Sequence, residues 1–199
     1  MRIIRRQLVT GLLVTVALLV LCCGIYPLAV WTVGRVAFSH QADGSFVTAH
    51  GKVVGSSLIG QNFTDKDGNP LAQYFQPRPS AAGKGYDAMS SGGSNLGSSN
   101  PDLLKAAADR VAAYRQFNGL ASTVQVPVDA VTASGSGLDP DISVANALDQ
   151  AARVARARGL PGERVTALVH ARIRDRALGF VGEKTVNVLD PNLALDRLG

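Results

Sequence analysis

The stretch Leu8–Val33, LVTGLLVTVALLVLCCGIYPLAVWTV, decides the architecture. No residue from Gln7 to Gly34 carries a charge, and only Thr, Gly, Tyr, Pro, Cys and Trp interrupt the aliphatic side chains. A helix crossing the hydrocarbon core of a bilayer needs about 20 apolar residues, and this run exceeds that with room for tilt. A buried core helix is seldom so long and so apolar on every face. A cleaved signal peptide is the sharper rival, since Ala37-Phe38-Ser39 has the small-x-small spacing of a cleavage site. Its apolar region would run only about 7–15 residues, however. A lipoprotein signal would need a small residue before Cys22, where Leu21 stands. Length therefore predicts an uncleaved transmembrane helix over residues 8–34, with 1–7 before it and one domain over 35–199 after it.

Charge orients that helix. Arg2, Arg5 and Arg6 precede it and only Arg35 follows closely. The positive-inside rule then puts the N-terminus in the cytoplasm and residues 36–199 outside, as an exported domain. Tyr26 and Trp31 fall toward the outer end, where amphipathic rings favour the headgroup level, and Pro27 is placed to kink the last turns. The chain of 199 residues has a net charge of +5, but residues 1–40 hold four arginines and no acid. The remaining 16 basic and 15 acidic residues leave +1, so the basic character is no nucleic-acid-binding face. At 46% hydrophobic the chain is not disordered, and 21 Gly with 9 Pro exclude a long coiled coil. Cys22 and Cys23 both lie in the apolar run, so the domain is held by packing or by a partner and not by a disulfide.

About 160 residues remain, enough for one domain that buries roughly two-thirds of its unfolded surface. Val53, Val54, Leu58 and Ile59, set among glycines, predict a short strand pair or a strand and turn. From Gly60 to Asn100 the chain is a long Gly/Ser-rich loop whose Tyr74, Phe75 and Tyr86 argue for order, and loops of that length are functional or disordered. Asn100-Pro101-Asp102 caps a helix that Asn118-Gly119 stops. Val124–Val128 predicts a strand, placed at an edge by Pro127. Ser143 caps a second helix that Gly159 ends, and Pro161 starts a third with Val165, Leu168, Val169 and Ile173 inward. Thr185–Leu189 alternates as a last strand. Helices and strands mix without a regular βαβ rhythm, which predicts an α+β fold.

Catalytic signals are thin. His40, His50 and His170 are scattered without metal-ligand spacing, so no metal site is expected. Ser134, His170 and Asp139 form a hydrolase triad on paper, but Ser134 lacks the G-x-S-x-G elbow. Gly92–Gly97 fits neither a phosphate loop nor the dinucleotide fingerprint and predicts a tight multi-glycine turn. Seven arginines between Arg153 and Arg176 form the solvated side of two helices or a docking patch for an acidic partner or lipid headgroup. The residues by themselves describe an anchored domain that serves a partner.

A series of strings goes further. Gly55–Gln61 with Phe63, then Tyr74-Phe75 with Arg78-Pro79-Ser80, Tyr86-Asp87 and Ser91–Gly97 follow the anchor. Val131–Pro140, Gln150 with Arg153–Ala155, and Val186–Leu189 through Asn192–Asp196 complete them. In this order after one span, the chain closely resembles the C-subunit family of Kdp potassium-transporting P-type ATPases, nearly end to end. Ser98 and Asp141 stand where that family often has Pro and His.

The resemblance implies a noncatalytic subunit of a bacterial inner-membrane complex that imports potassium. Its companions would be a channel-like potassium-binding subunit, the ATP-hydrolysing P-type subunit and a very small single-span subunit. No cofactor would be tightly bound, and ATP would enter through the P-type partner. Two mechanisms follow. In one, the exported domain caps the outer mouth of the channel-like subunit. Tyr74, Phe75, Arg78, Tyr86, Gly92, Gly93, Ser94 and Asn95 would form the interface loop, while Asp87 and Asp139 attract potassium. In the other, the subunit raises the ATP affinity of the P-type subunit, with Ser134, Ser136 and Gln150 near nucleotide. The charge asymmetry puts those three across the membrane from cytoplasmic ATP and favours the cap.

Overall fold

The computed structural model describes residues 1–198, which divide into two compact units, residues 1–46 and 47–198. The first unit is dominated by one helix from Arg2 to Ala37, 36 residues long, with none of its span buried within the protein. At 1.5 Å per residue it reaches about 54 Å, well beyond the hydrocarbon thickness of a bilayer. It comprises α1 (Arg2–Leu19) and α2 (Tyr26–Ala37), joined by a π-helical turn at Val20–Ile25. Pro27 sits at the start of α2, and its ring would crowd the carbonyl four residues back. The wider π turn gives that carbonyl room, so the proline is accommodated by a register change ahead of it. A single helical turn, α3 (Ser39–Ala42), follows, and Arg35 pairs with Asp43.

The second unit begins in a hairpin of β1 (Phe46–Ala49) and β2 (Lys52–Ser56), with His50 and Gly51 at φ of 50° and 73° in its turn. Residues 60–100 contain no strand or long helix, only an isolated Thr64–Pro70 bridge and a 3₁₀ turn at Ala88–Ser90. Then comes α4 (Pro101–Asn118), capped where Asn100 accepts from the Asp102 amide and ended by Gly119 in the left-handed region. Val124–Val128 is not a strand: residues 124–127 are irregular, and α5 (Val128–Val131) is a single helical turn that follows Pro127. A strand needs a neighbour, and α4 holds this segment instead, through Arg115 donating to the Val124 carbonyl at 2.7 Å.

The mixed core forms around α6 (Val144–Arg158) and α7 (Gly162–His170), the most extensively packed pair in the domain. A three-stranded antiparallel sheet lies beside them in the order β3 (Asp141–Ser143), β5 (Thr185–Asn187), β4 (Ile173–Arg174). Ile142 and Ile173 both pair with Val186 across the ladder. Ile173 thus faces inward from a strand and not, as the helical spacing suggested, from the third helix. The predicted last strand also stops early, because Leu189 opens α8 (Leu189–Asp196). Phe75, Ile142, Val154, Val165, Val169, Val186 and Leu195 form the buried centre, at most 1% exposed. Each such side chain contributes on the order of 1.5–3 kcal/mol. The domain is α+β.

Candidate functional site

Phe75 and Gln76, in the middle of the long loop, are held like a strand between two others, but the partners are side chains. The Phe75 N–H donates to Asn192 Oδ1 at 2.8 Å, and its carbonyl accepts from Asn192 Nδ2 at 3.0 Å. At the next residue the Gln76 N–H donates to Gln150 Oε1 at 2.7 Å, and its carbonyl accepts from Gln150 Nε2 at 3.0 Å. Asn192 comes from α8 and Gln150 from α6, and both are nearly fully buried. A primary amide carries one donor side and one acceptor, which matches the N–H and C=O of one residue. The two amides therefore satisfy a buried, irregular backbone that would otherwise be expensive to desolvate.

Arg153 tightens the same grip. Its guanidinium donates to Gln150 Oε1 at 2.7 Å, to the Tyr74 carbonyl at 2.9 Å, to the Ala72 carbonyl, and to Asn118 Oδ1 at 2.9 Å. It lies over the Phe117 ring, 4.3 Å from the centroid. No carboxylate pairs with it among the described residues, so desolvation dominates and pulls it down to about 10. It stays charged at neutral pH, neutralised by oxygen dipoles. Arg158 repeats the device nearer the surface, bonding the Gln73 carbonyl at 2.7 Å and Asp196 at 2.7 Å while covering the Tyr74 ring. Burial, then Asp196, pushes the Tyr74 hydroxyl above its ordinary value.

Further along, the loop closes on residues 134–139. Arg78 pairs with Asp139 at 2.8 Å, and the Tyr86 hydroxyl donates to the carbonyls of Arg78 and Asp139. Burial, then the Asp139 charge, holds Tyr86 well above the usual phenol range. Ser80 donates to the Gly137 carbonyl at 2.7 Å, the Gly92 amide donates to Ser136 at 2.8 Å, and the Ser91 hydroxyl joins it there. Two glycines allow this approach. A Cβ at Gly137, where φ is +68°, would stand 2.7 Å from the Ala82 Cβ and 2.8 Å from the Gly92 carbonyl. One at Gly60 would strike the Tyr86 ring at 2.3 Å.

The residues singled out from sequence are thus largely brought together. Phe75 is held by Asn192, Tyr74 lies under Arg158, and Arg78 and Tyr86 close on Asp139; Gly92 and Gly93 run along the 134–137 backbone, while Ser94 and Asn95 face solvent. Asp87 is exposed and caps the 3₁₀ turn by accepting from Met89. Asp139 is committed to Arg78 and to the Asp141 amide. Ser134 is 3% exposed, its hydroxyl shared between Ser136 and the Gly137 amide, so it braces a turn. Gln150 has every hydrogen-bonding group engaged within the protein. His170 is exposed at the end of α7, and no hydrogen bond joins it to Ser134 or Asp139 among the described residues. The paper triad is three unrelated structural residues. The sequence pattern gave no role to Asn192, Gln76 or Asn146, and it put Arg153 on a solvated or docking face, whereas Arg153 is 4% exposed and donates inward to the loop backbone and Gln150. The signal was available in α6, where Asn146, Gln150 and Arg153 recur at spacings of four and three beside the apolar Ala147, Ala151 and Val154. A polar stripe on a buried face implies something polar to hold.

What this arrangement does chemically is fix a loop surface. The family described as KdpC, K+-transporting ATPase, c chain, matches residues 8–197. The chain belongs to the KdpC family. Among its relatives is a protein of Mycobacterium bovis (strain BCG / Pasteur 1173P2) that is 53% identical over 194 residues, 98% of this chain and 100% of the relative. A second, from Kineococcus radiotolerans, is 56% identical over 193 residues, 96% of this chain and 93% of its own. A third, from Citrifermentans bemidjiense, is 49% identical over 199 residues. Each is named a potassium-transporting ATPase KdpC subunit. The match of this KdpC-family chain spans the apolar helix and the clasped domain together.

Proposed function

We propose that this chain is a noncatalytic accessory subunit of an ATP-driven potassium import complex in the bacterial inner membrane. Its helix holds it beside the other subunits, its N-terminus is cytoplasmic, and residues 36–199 lie outside. There the domain caps the potassium entrance of a channel-like subunit and stabilises the assembly. The ATP-hydrolysing P-type subunit and a small single-span subunit complete the complex. ATP is bound by the P-type partner, and potassium is cargo.

The observation that carries this reading is the double amide clasp on Phe75 and Gln76. It commits two buried amide side chains, Asn192 and Gln150, to holding a long loop in one shape. A preorganised loop loses little conformational entropy on docking, which suits a cap fitted to a partner's surface. The same geometry weighs against a nucleotide role for Ser134 and Gln150, because their polar atoms already have partners inside the protein. The three leading arginines support the outward placement.

A photo-crosslinking amino acid at Ser94, and separately at Asn95, tests the reading in the assembled complex. Crosslinks to the channel-like subunit are expected. Crosslinks to the nucleotide-binding part of the P-type subunit would overturn it.

A further inference from the structure

Beyond the clasped loop, the segment between β4 and β5 forms a projecting arm with two distinct parts. Its shaft carries charges that cancel in pairs, Lys184 with Asp175 at 2.8 Å and Arg176 with Glu183 at 2.7 Å. Its tip is apolar and wet: Leu178 is 86% exposed, Phe180 74% and Val181 50%. The tip is also hydrogen-bonded to itself. The Ala177 and Val181 amides each donate to the other's carbonyl at 2.9 Å, and the Gly179 amide donates to Arg176 at 3.0 Å. Leu178 sits at a φ of +54°, a region an L side chain rarely adopts. Strain is thus accepted to aim a leucine and a phenylalanine outward, where folding them back would have buried apolar area.

At the root of the arm the charges are of the other kind. Arg164, Arg172 and Arg197 border a shallow apolar groove with Leu168 and Leu198, and none of the three makes an ion pair among the described residues. Arg172 immediately precedes β4, so this cationic ground adjoins the arm. An apolar tip on an arm whose base adjoins unpaired guanidinium groups supplies the two chemistries of a membrane surface, acyl chains and anionic phosphates. The chain also has the means to stay there. Only residues 38–46 join the membrane-length helix to the domain, and nine residues reach at most about 30 Å.

We propose that the Leu178–Val181 tip dips into the interfacial layer of an anionic bilayer, with Arg164, Arg172 and Arg197 on lipid phosphates. This contact is additional to the cap and does not depend on which subunit the clasped loop meets. It would set the orientation of the domain over the membrane through a second attachment independent of the helix.

The test uses the full chain in its assembled complex, with Cys22→Ser and Cys23→Ser and an environment-sensitive fluorophore on Leu178→Cys. A second series with Phe180→Cys guards against a folding defect at one site. Complexes are reconstituted in phosphatidylcholine alone and in equal parts phosphatidylcholine and phosphatidylglycerol, with a quencher on shallow acyl positions. The expected result is a blue-shifted probe that loses roughly half its intensity to the lipid quencher in the anionic bilayer, and less in the neutral one. Combined Arg164→Gln, Arg172→Gln and Arg197→Gln reduces that quenching. A probe that stays wet in both bilayers would overturn the proposal. So would a probe shielded from water yet deaf to the lipid quencher, which would place the tip in an apolar pocket of a protein partner.

Discussion

Replacing Gln150 with leucine tests the clasp most severely, because leucine keeps the volume of the side chain and deletes only its polar end. Four hydrogen bonds disappear: two to Gln76, one to Asn146 and one from Arg153. Asn146 keeps the Tyr114 hydroxyl and Arg153 keeps three oxygen partners, so these two lose a bond each without being stranded. The Gln76 N–H and C=O are different, since Gln150 is the partner of both. Leaving a buried donor and a buried acceptor unpaired costs about 1–2 kcal/mol each, and the lost bond to a charged group adds about 1.5 kcal/mol. The expected loss is about 3.5–5.5 kcal/mol, which for a domain of this size lowers the melting temperature by roughly 10–15 °C. Thermal unfolding of the full-length chain in detergent micelles, followed by circular dichroism, reads this directly. Potassium-dependent ATPase activity of the surviving complex should then fall with assembly, at unchanged ATP affinity. A melting temperature within about 2 °C of the parent, accompanied by weakened ATP affinity, would refute the reasoning and make Gln150 a nucleotide ligand.

Gly137→Ala should cost more than about 2 kcal/mol, because its Cβ meets Ala82 and the Gly92 carbonyl at positive φ, while Gly135→Ala two residues away meets nothing within 4 Å and should melt like the parent. Asp149 is held above its ordinary carboxylate value, chiefly by burial. A raised carboxylate favours the folded state below its unfolded value of 3.8 and loses that advantage as pH rises through the folded value. Asp149→Asn should therefore raise the melting temperature at pH 7, and the gain should shrink toward pH 4. Of the two carboxylates predicted to attract potassium, Asp87 is exposed and bonded to the Met89 amide, whereas Asp139 is ion-paired with Arg78. Uptake assays at limiting potassium should accordingly show a weaker apparent affinity for Asp87→Asn, whereas Asp139→Asn should lower thermal stability at unchanged affinity.

The elements legible in the sequence were those whose ends are marked by local chemistry. Asn100 and Ser143 accept from backbone amides of their own first turns, and Gly119 and Gly159 close the same helices in left-handed geometry. Those interactions span only a few residues, so the chain spells them out. By contrast α8 has buried residues nearly all round, Leu189, Pro191, Asn192, Ala194 and Leu195, and so offers no amphipathic stripe to read. Val124–Val128 has the composition of a strand, but strand formation depends on a neighbour that only the tertiary fold supplies or withholds. The site divides the same way. Tyr74, Phe75, Arg78 and Tyr86 stood out as aromatic and charged residues in a Gly/Ser loop. Their partners Gln150, Arg153 and Asn192 lie 74 to 117 positions away for the central contacts, beyond any local pattern. The intrinsic cost of leaving backbone unpaired in a buried loop is what links them, and that cost becomes visible only with the fold.

An outer cap requires the clasped domain to lie outside the membrane, and its side can be measured. A C-terminal epitope on the full chain is exposed to protease in intact spheroplasts and, separately, in inverted membrane vesicles. An outer domain is cleaved in spheroplasts and protected in inverted vesicles. Cleavage confined to inverted vesicles would put residues 36–199 beside cytoplasmic ATP and contradict the outer cap.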